Sequence, residues 1–549
     1  MESKRTARQV RGRLAESTQI ASRVDEFGDF QTPVALAEQV CALLRSRGAR
    51  PASLLEPTCG VGNLLCAAVD AFPSLRSALG VELNREYVRR AKESVKLRAS
   101  SAQAEVVAGN FFDADWRVIL DGLPEPILVL GNPPWVTNSA LSVVESSNLP
   151  RKSNFQKRGG MEALTGKSNF DVSEWMVATL LELLWGREAT LAMLCKTSVA
   201  RKVLLHAWKR GVGPASAEMR GIDASAHFGA SVDACLLVCS LSPGVSSADW
   251  SIFRGLEDDR PVSILGCRGG ELVADVPAYE RWRHLRGVAA RAWRSGVKHD
   301  CSKLMELRAE AGLYRNGFGE LVDLEDDCIY PMLKSSELAR ESSSEPARRM
   351  LVTQKSVGDD TSMLREVAPK TWEYLESRGA LLDRRASRIY SNRPRFSVFG
   401  VGPYTFSPWK VAISGFRKSL EFVVVGPYEG RPVVVDDASY FLSCETEEEA
   451  RLLADLLNTA PARGFYSAYV FWDSKRPITI ELLRKLDLRA LAVELGCSEA
   501  SMKFVVETEA RSEGNSVSLR NRARGPVARK SNRNRSNGRT PLRRRVGFL

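Results

Sequence analysis

A chain of 549 residues with a hydrophobic share of 44% is too long for one core and reads as two or three domains. No run of about 18 apolar residues occurs, and the N-terminus is basic and polar, so neither a membrane-spanning helix nor a signal peptide is expected. The net charge of +12 is unevenly placed: residues 511–549 carry 12 Arg/Lys against one acid, Glu513, residues 1–24 carry six bases against two acids, and the body between is slightly negative.

Thr32-Pro33 reads as a helix N-cap followed by proline at the first helical position, with Val34, Ala37, Val40 and Leu44 at helical spacing behind it. A short strand, Leu54-Leu55, leads into a turn over Glu56–Asn63, and a helix follows from Leu64 to Phe72. Further strands end at Val81-Glu82 and run over Ala104–Ala108, Ile127–Leu130, Thr190–Leu194 and Leu236–Cys239, with helices from Asn84 and over Trp175–Leu184. This alternation over 25–245 indicates an α/β domain, a parallel sheet with helices on both faces. Ligands on such sheets bind at the carboxyl ends of the strands. From 246 to 506 shorter, glycine- and aromatic-punctuated segments read as a separate α+β domain, and from 507 the Arg/Asn/Ser/Gly composition argues for a disordered basic tail. Clustered arginines in the tail and in the 1–24 arm suit nucleic acid; a solvated tail without a partner is the alternative. Eleven scattered cysteines without a Cys-x-x-Cys pair read as reduced thiols, which fits a cytoplasmic location. His206, His227, His284 and His299 lack ligand spacing, so no metal site is expected.

The most informative motif is Gly131-Asn132-Pro133-Pro134-Trp135, directly after an apolar strand. An exocyclic amine on a purine is a poor nucleophile because its lone pair is delocalised. The Asn132 side-chain oxygen and the Pro133 carbonyl are two acceptors that could draw its hydrogens away and localise that pair. Pro133 and Pro134 fix φ and stiffen the loop, so the acceptors are preorganised. Trp135 offers an aromatic face for a base turned out of its helix. The second motif, Glu56-Pro57-Thr58-Cys59-Gly60-Val61-Gly62, is a strand-to-helix glycine turn. Gly60 and Gly62 let the backbone pass close to a ligand, Glu56 places a carboxylate where a ligand ammonium could be held, and Glu82 closes the next strand where such folds put an acid on ribose hydroxyls.

Phe27-Gly28-Asp29-Phe30-Gln31-Thr32-Pro33, the Glu56–Gly62 turn and the Asn132–Trp135 turn resemble, in that order, the gamma class of bacterial DNA N6-adenine methyltransferases of type II restriction–modification systems. The resemblance implies a Rossmann-like methyltransferase domain over 25–245, a target-recognition domain over 246–506, and S-adenosylmethionine as methyl donor. Thr32 and Pro33 would then lie at the donor's methionine carboxylate, Glu56, Cys59, Gly60 and Gly62 at its amino end, and Glu82 at its ribose. The family places an Asp-Phe pair after the third strand to contact the donor's adenine; here Asn110-Phe111 occupy that slot, and Asn110 departs from the pattern. Phe228 fits the slot of an aromatic that stacks on the second face of a flipped base, and equally fits a core aromatic. The implied partners are duplex DNA and a separate cognate restriction endonuclease, with no membrane, in a bacterial cytoplasm. No thiol nucleophile is implied, so Cys59 is incidental to the chemistry.

The basic stretch 149–170 reads as a loop closing on DNA phosphate or as a surface insertion. Trp293–Asp300 and Lys475-Arg476-Pro477 are basic and aromatic segments of the second domain that could meet DNA. Rival readings are a protein glutamine, RNA adenine or cytosine N4 methyltransferase, or a non-catalytic DNA-binding subunit. The long C-terminal region speaks against the first, Asn132 against cytosine, and the intact donor turn against the last. A fused nuclease motif is not found.

Overall fold

The computed structural model describes residues 30–98, 102–136, 171–338, 346–498, 501, 502 and 505. The basic arm, residues 27–29, the 149–170 stretch and the tail from 507 therefore lie outside the described residues.

The first part of the chain runs α1 (Val34–Ser46), β1 (Ser53–Glu56), α2 (Asn63–Ala71), β2 (Ser77–Glu82), α3 (Arg85–Lys96), β3 (Gln103–Ala108), α4 (Trp116–Asp121) and β4 (Ile127–Gly131). It continues with α5 (Val172–Leu184), β5 (Ala189–Lys196), α6 (Thr197–Lys209), β6 (Ser216–Ile222), α7 (Ala224–Phe228) and β7 (Ala234–Leu241). The strands lie in the order β6-β7-β5-β4-β1-β2-β3. β1 to β5 are parallel and β7 runs antiparallel between β5 and β6.

The apolar runs in the central strands are continuous because both faces of the sheet are covered. Leu54, Leu128 and Leu130 pack with Leu36, Val40 and Leu44 of α1, Leu64 and Leu65 of α2, and Ala91 of α3. Their neighbours Leu55, Ile127 and Val129 point the other way, against Trp116 of α4, Val177 and Leu181 of α5 and Val203 of α6. The pleat assigns adjacent residues to opposite helical layers. β1 is the switch point, since the chain leaves it for β2 on one side and β4 lies on the other.

Two expectations need correction. Thr32 is not the cap of α1: the N-cap is Pro33, without a side-chain cap bond. Proline has no N–H, so setting it one position earlier costs the helix nothing. The boundary at 245 also fails. β8 (Asp249–Phe253), β9 (Ser263–Arg268) and β10 (Glu271–Val273) extend the same sheet to ten strands, with β8 pairing parallel to β6.

The remainder is α+β, as expected. A six-stranded sheet includes Glu306–Glu310, Ile329–Leu333 and Arg348–Leu351, and a four-stranded sheet includes Trp409–Ser414 and Ser439–Cys444. The helices Glu447–Leu457, Ala460–Ser467 and Leu488–Glu494 contribute to the apolar core that also takes in Val411 and Leu442 of the four-stranded sheet. The two parts meet where Arg201 of α6 pairs with Asp473 at 2.6 Å and lies 4.5 Å from the Phe471 ring centre. Among the described residues no helix is long and apolar enough to cross a membrane.

Candidate active site

A cavity of about 630 Å³ opens at the carboxyl ends of β1, β2, β3 and β4, within the size range of a cofactor pocket. Of the residues expected to form a site, Thr32, Glu56, Cys59, Gly60, Glu82, Asn110, Phe111, Asn132 and Pro134 line it. Pro33, Gly62, Pro133, Trp135 and Phe228 are not among its lining residues.

The glycine turn is as tight as its sequence demands. Gly60 has φ +54° and Gly62 φ +86°, and a Cβ at Gly60 would lie 2.3 Å from Oε1 of Gln31. That oxygen accepts from the Val61 amide at 3.0 Å. Glu82 accepts from the Gly60 amide at 2.9 Å with one oxygen and from Asn84 at 2.7 Å with the other. It thereby ties the turn to the end of β2 and sets a carboxylate on the cavity wall.

Three consecutive residues knit the two motifs together. Phe30 accepts at its carbonyl from Asn132 Nδ2 at 2.9 Å, Gln31 holds Val61, and the Thr32 carbonyl accepts from Asn63 Nδ2 at 2.8 Å. A carbonyl only accepts, so the Asn132 amide must present its NH2 to Phe30 and its oxygen elsewhere. Asn132 Oδ1 has no hydrogen-bond partner among the described residues, and neither does Glu56 Oε2. Buried polar atoms are rarely left so, and both belong to residues lining one cavity.

Glu56 is 2% exposed, and its carboxyl is pushed well above the usual range, first by burial and then by the nearby Glu82 charge, against a backbone hydrogen bond from Leu65 that lowers it. Cys59 is buried, and burial, followed by the Glu56 and Glu82 charges, pushes its thiol up, which keeps it from serving as a thiolate. Phe111 is 4% exposed and its ring centre lies 4.7 Å from that of Trp116. Asn110 spends Oδ1 locally, accepting from the Phe112 amide at 3.1 Å, so the acceptor expected for the donor's adenine amine is already engaged.

Trp135 does not present a free face. It is 5% exposed, its Nε1 donates to the Leu194 carbonyl at 3.3 Å, and its ring meets Phe228 edge-on at 5.2 Å and Phe30 at 5.7 Å. The indole N–H seeks an acceptor and finds one in the sheet, which draws the ring into the core. Phe228 likewise packs with the core of the α1 face. The aromatic that lines the cavity beside Asn132 is Phe30. Gln31, Asn63, Tyr87 and Met176 are further lining residues that sequence reasoning missed. Gln31 was within reach, lying between Phe30 and Thr32 in a motif already singled out, whereas Met176 on α5 carried no local signal.

No family model matches the chain. Over 468 residues it is 44% identical to the type II methyltransferase M.NspV from Nostoc sp. (strain ATCC 29411 / PCC 7524), an alignment spanning 85% of this chain and 97% of the relative. The chain belongs to the type II methyltransferase family. It is an S-adenosylmethionine-dependent DNA methyltransferase of the restriction–modification type. A 57-residue stretch is also 35% identical to a protein-lysine N-methyltransferase from Saccharolobus islandicus (strain REY15A), but covers 10% of this type II methyltransferase and 35% of that protein. Among solved structures, the type IIL restriction–modification enzyme MmeI in complex with DNA superposes with a TM-score of 0.51, over 89% of this chain and 70% of that one, at 13% identity, a likeness of fold.

The cavity fits the donor this family uses. The orphaned Glu56 carboxylate oxygen suits an ammonium, Glu82 a ribose, and Phe111 an adenine ring.

Proposed function

We propose that this type II methyltransferase methylates the N6 amine of adenine within a specific duplex DNA sequence, in a bacterial cytoplasm, and so protects host DNA from a separate cognate endonuclease. The observation that carries the reading is the unpartnered Asn132 Oδ1 at the carboxyl end of β4, oriented by the Phe30 carbonyl.

S-adenosylmethionine supplies an electrophilic methyl group on a sulfonium, and its departure as a neutral thioether requires no covalent enzyme intermediate. The protein's work is placement. Glu56 and Glu82 bind the amino and ribose ends, and Phe111 flanks the adenine. Asn132 Oδ1 and the Pro133 carbonyl accept hydrogen bonds from the two amine protons and localise the nitrogen lone pair. The rigid Pro133-Pro134 backbone holds those acceptors before the amine arrives, so little reorganisation is left for the transfer step. The target base must leave the duplex, at a cost of a few kcal/mol, and Phe30 supports it in the cavity. The basic segments 1–24 and 511–549 add phosphate contacts without choosing a sequence.

Modification-sensitive sequencing of DNA incubated with protein and donor tests the reading directly. N6-methyladenine at one recurring motif is the expected product. Methylation of cytosine N4, or of RNA in preference to duplex DNA, would reject it.

A further inference from the structure

The turn that carries Asn132 is held from the neighbouring strand by a charged group with no part in the chemistry described above. Lys196, the last residue of β5, donates to the Trp135 carbonyl at 2.8 Å and to Asp171 Oδ2 at 2.6 Å. Asp171 is 6% exposed. Its other oxygen caps α5, accepting from the Ser173 amide at 3.2 Å and the Ser173 hydroxyl at 2.5 Å. The Val172 amide donates to the Val136 carbonyl at 2.9 Å. The chain leaving Asn132-Pro133-Pro134 is thus fixed at two successive carbonyls by groups on β5 and α5.

Stability alone gives little reason for this arrangement. Withdrawing an ion pair from water commonly costs as much as the pair returns, and apolar residues would fill the space as well. What a charged donor adds is a shorter and stronger hydrogen bond than a neutral one. It acts three residues from Asn132, across two prolines whose fixed φ transmits rather than absorbs a displacement. We propose that Lys196, seated by Asp171, is a positioning residue that sets Asn132 Oδ1 and the Pro133 carbonyl against the incoming amine. This rests on the reading of Asn132 as an acceptor of the target amine.

The test uses the full chain and four variants: Lys196→Met, Lys196→Arg, Lys196→Met with Asp171→Asn, and Asn132→Ala. Single-turnover methylation at saturating donor and DNA, donor affinity by calorimetry, and Tm are measured on each. Lys196→Met should slow methyl transfer by about 10²-fold, the scale of an ångström's misplacement, with donor affinity unchanged. Lys196→Arg should recover part of the rate. Asp171→Asn keeps the helix cap and removes the unpaired buried charge, so the double variant should regain Tm while its rate stays low. Recovery of rate together with Tm in the double variant would make Lys196 merely structural and overturn the proposal. A wild-type rate in Lys196→Met beside a slow Asn132→Ala overturns it and leaves Asn132 standing; wild-type rates in both overturn the reading of Asn132 as well.

Discussion

The side-chain amide of Asn132 donates to the backbone carbonyl of Phe30, 102 residues earlier in the chain, at 2.9 Å. This one bond fixes which end of the amide meets a substrate, and it yields a prediction about acids at the same position. Asn132→Ala should slow methylation by about 10²–10³, as expected for loss of one preorganised polar contact. Asn132→Asp is more discriminating, because an ionised carboxylate would set an oxygen against the Phe30 carbonyl. A protonated acid instead donates to Phe30 and keeps an acceptor, mimicking the amide. The rate of the Asp variant relative to wild type should therefore rise as pH falls. A ratio that stays flat or drops on acidification would show that the Phe30 bond does not orient residue 132.

Glu56 should couple donor binding to proton release. Its carboxyl is held above the usual range by burial, so the free protein retains a proton there at higher pH than an exposed glutamate does. An arriving ammonium favours the carboxylate and expels that proton. Donor affinity should rise with pH through the raised range, and the calorimetric enthalpy should depend on the buffer's ionisation heat. Glu56→Gln should weaken donor binding and abolish that buffer dependence. Stability responds to pH in the opposite direction. A carboxyl whose folded-state pKa is raised loses stability as pH rises above its unfolded value, so Glu56→Gln should raise Tm of the free protein at neutral pH, by about 0.5–2 kcal/mol of stability. A buffer-independent enthalpy in the wild type would remove Glu56 from the ammonium site.

Gly60→Ala places a methyl 2.3 Å from Gln31 Oε1 at a φ of +54°. The left-handed backbone alone costs about 1–2 kcal/mol, and the clash adds to it. Donor affinity and Tm should both fall. Adding Gln31→Ala should return part of the loss, because it removes the clashing oxygen although it also frees the Val61 amide. Strict additivity in that double-mutant cycle would mean the two residues are not in contact.

Arg201 and Asp473 should couple across the junction of the two parts. Both side chains are largely shielded, and Phe471 packs on the same guanidinium. A double-mutant cycle should give a coupling of about 0.5–3 kcal/mol. Either alanine variant should raise KM for DNA more than it lowers kcat, since the pair seats the C-terminal part and not the catalytic turn. Unchanged KM in both would show that the contact does not bear on DNA.

Much of the fold was legible because the central strands carry it in their own residues. Leu54-Leu55 and Ile127–Leu130 are apolar on both faces, as a doubly covered sheet requires, and Asn84 sits before its helix as a cap. β6 was missed for a physical reason. Its sequence, Ser-Ala-Glu-Met-Arg-Gly-Ile, looks solvent-facing, yet Arg220 is fully buried. Glu218 accepts from its Nε at 2.7 Å, three backbone carbonyls accept from its Nη1, and the Phe253 ring centre lies 3.7 Å away. No local pattern foretells a partner 33 residues onward. At the site, Asn132 and Glu56 were readable because their chemistry depends on residue type and strand position. The orientation of Trp135 was not, because it depends on a carbonyl at Leu194 and on rings at Phe30 and Phe228.

The pairing of β8 with β6 decides where this protein divides. Cleavage near residue 245 would strip β6 of its neighbour and leave a row of unpaired backbone groups at a fresh sheet margin, open to association with another chain. It would also withdraw Phe253 from beneath the Arg220 guanidinium and Trp250 from the core it fills. The catalytic unit therefore carries its own three-stranded selvedge through Val273, and a protease or a split-protein partition should find its permissive point beyond that residue.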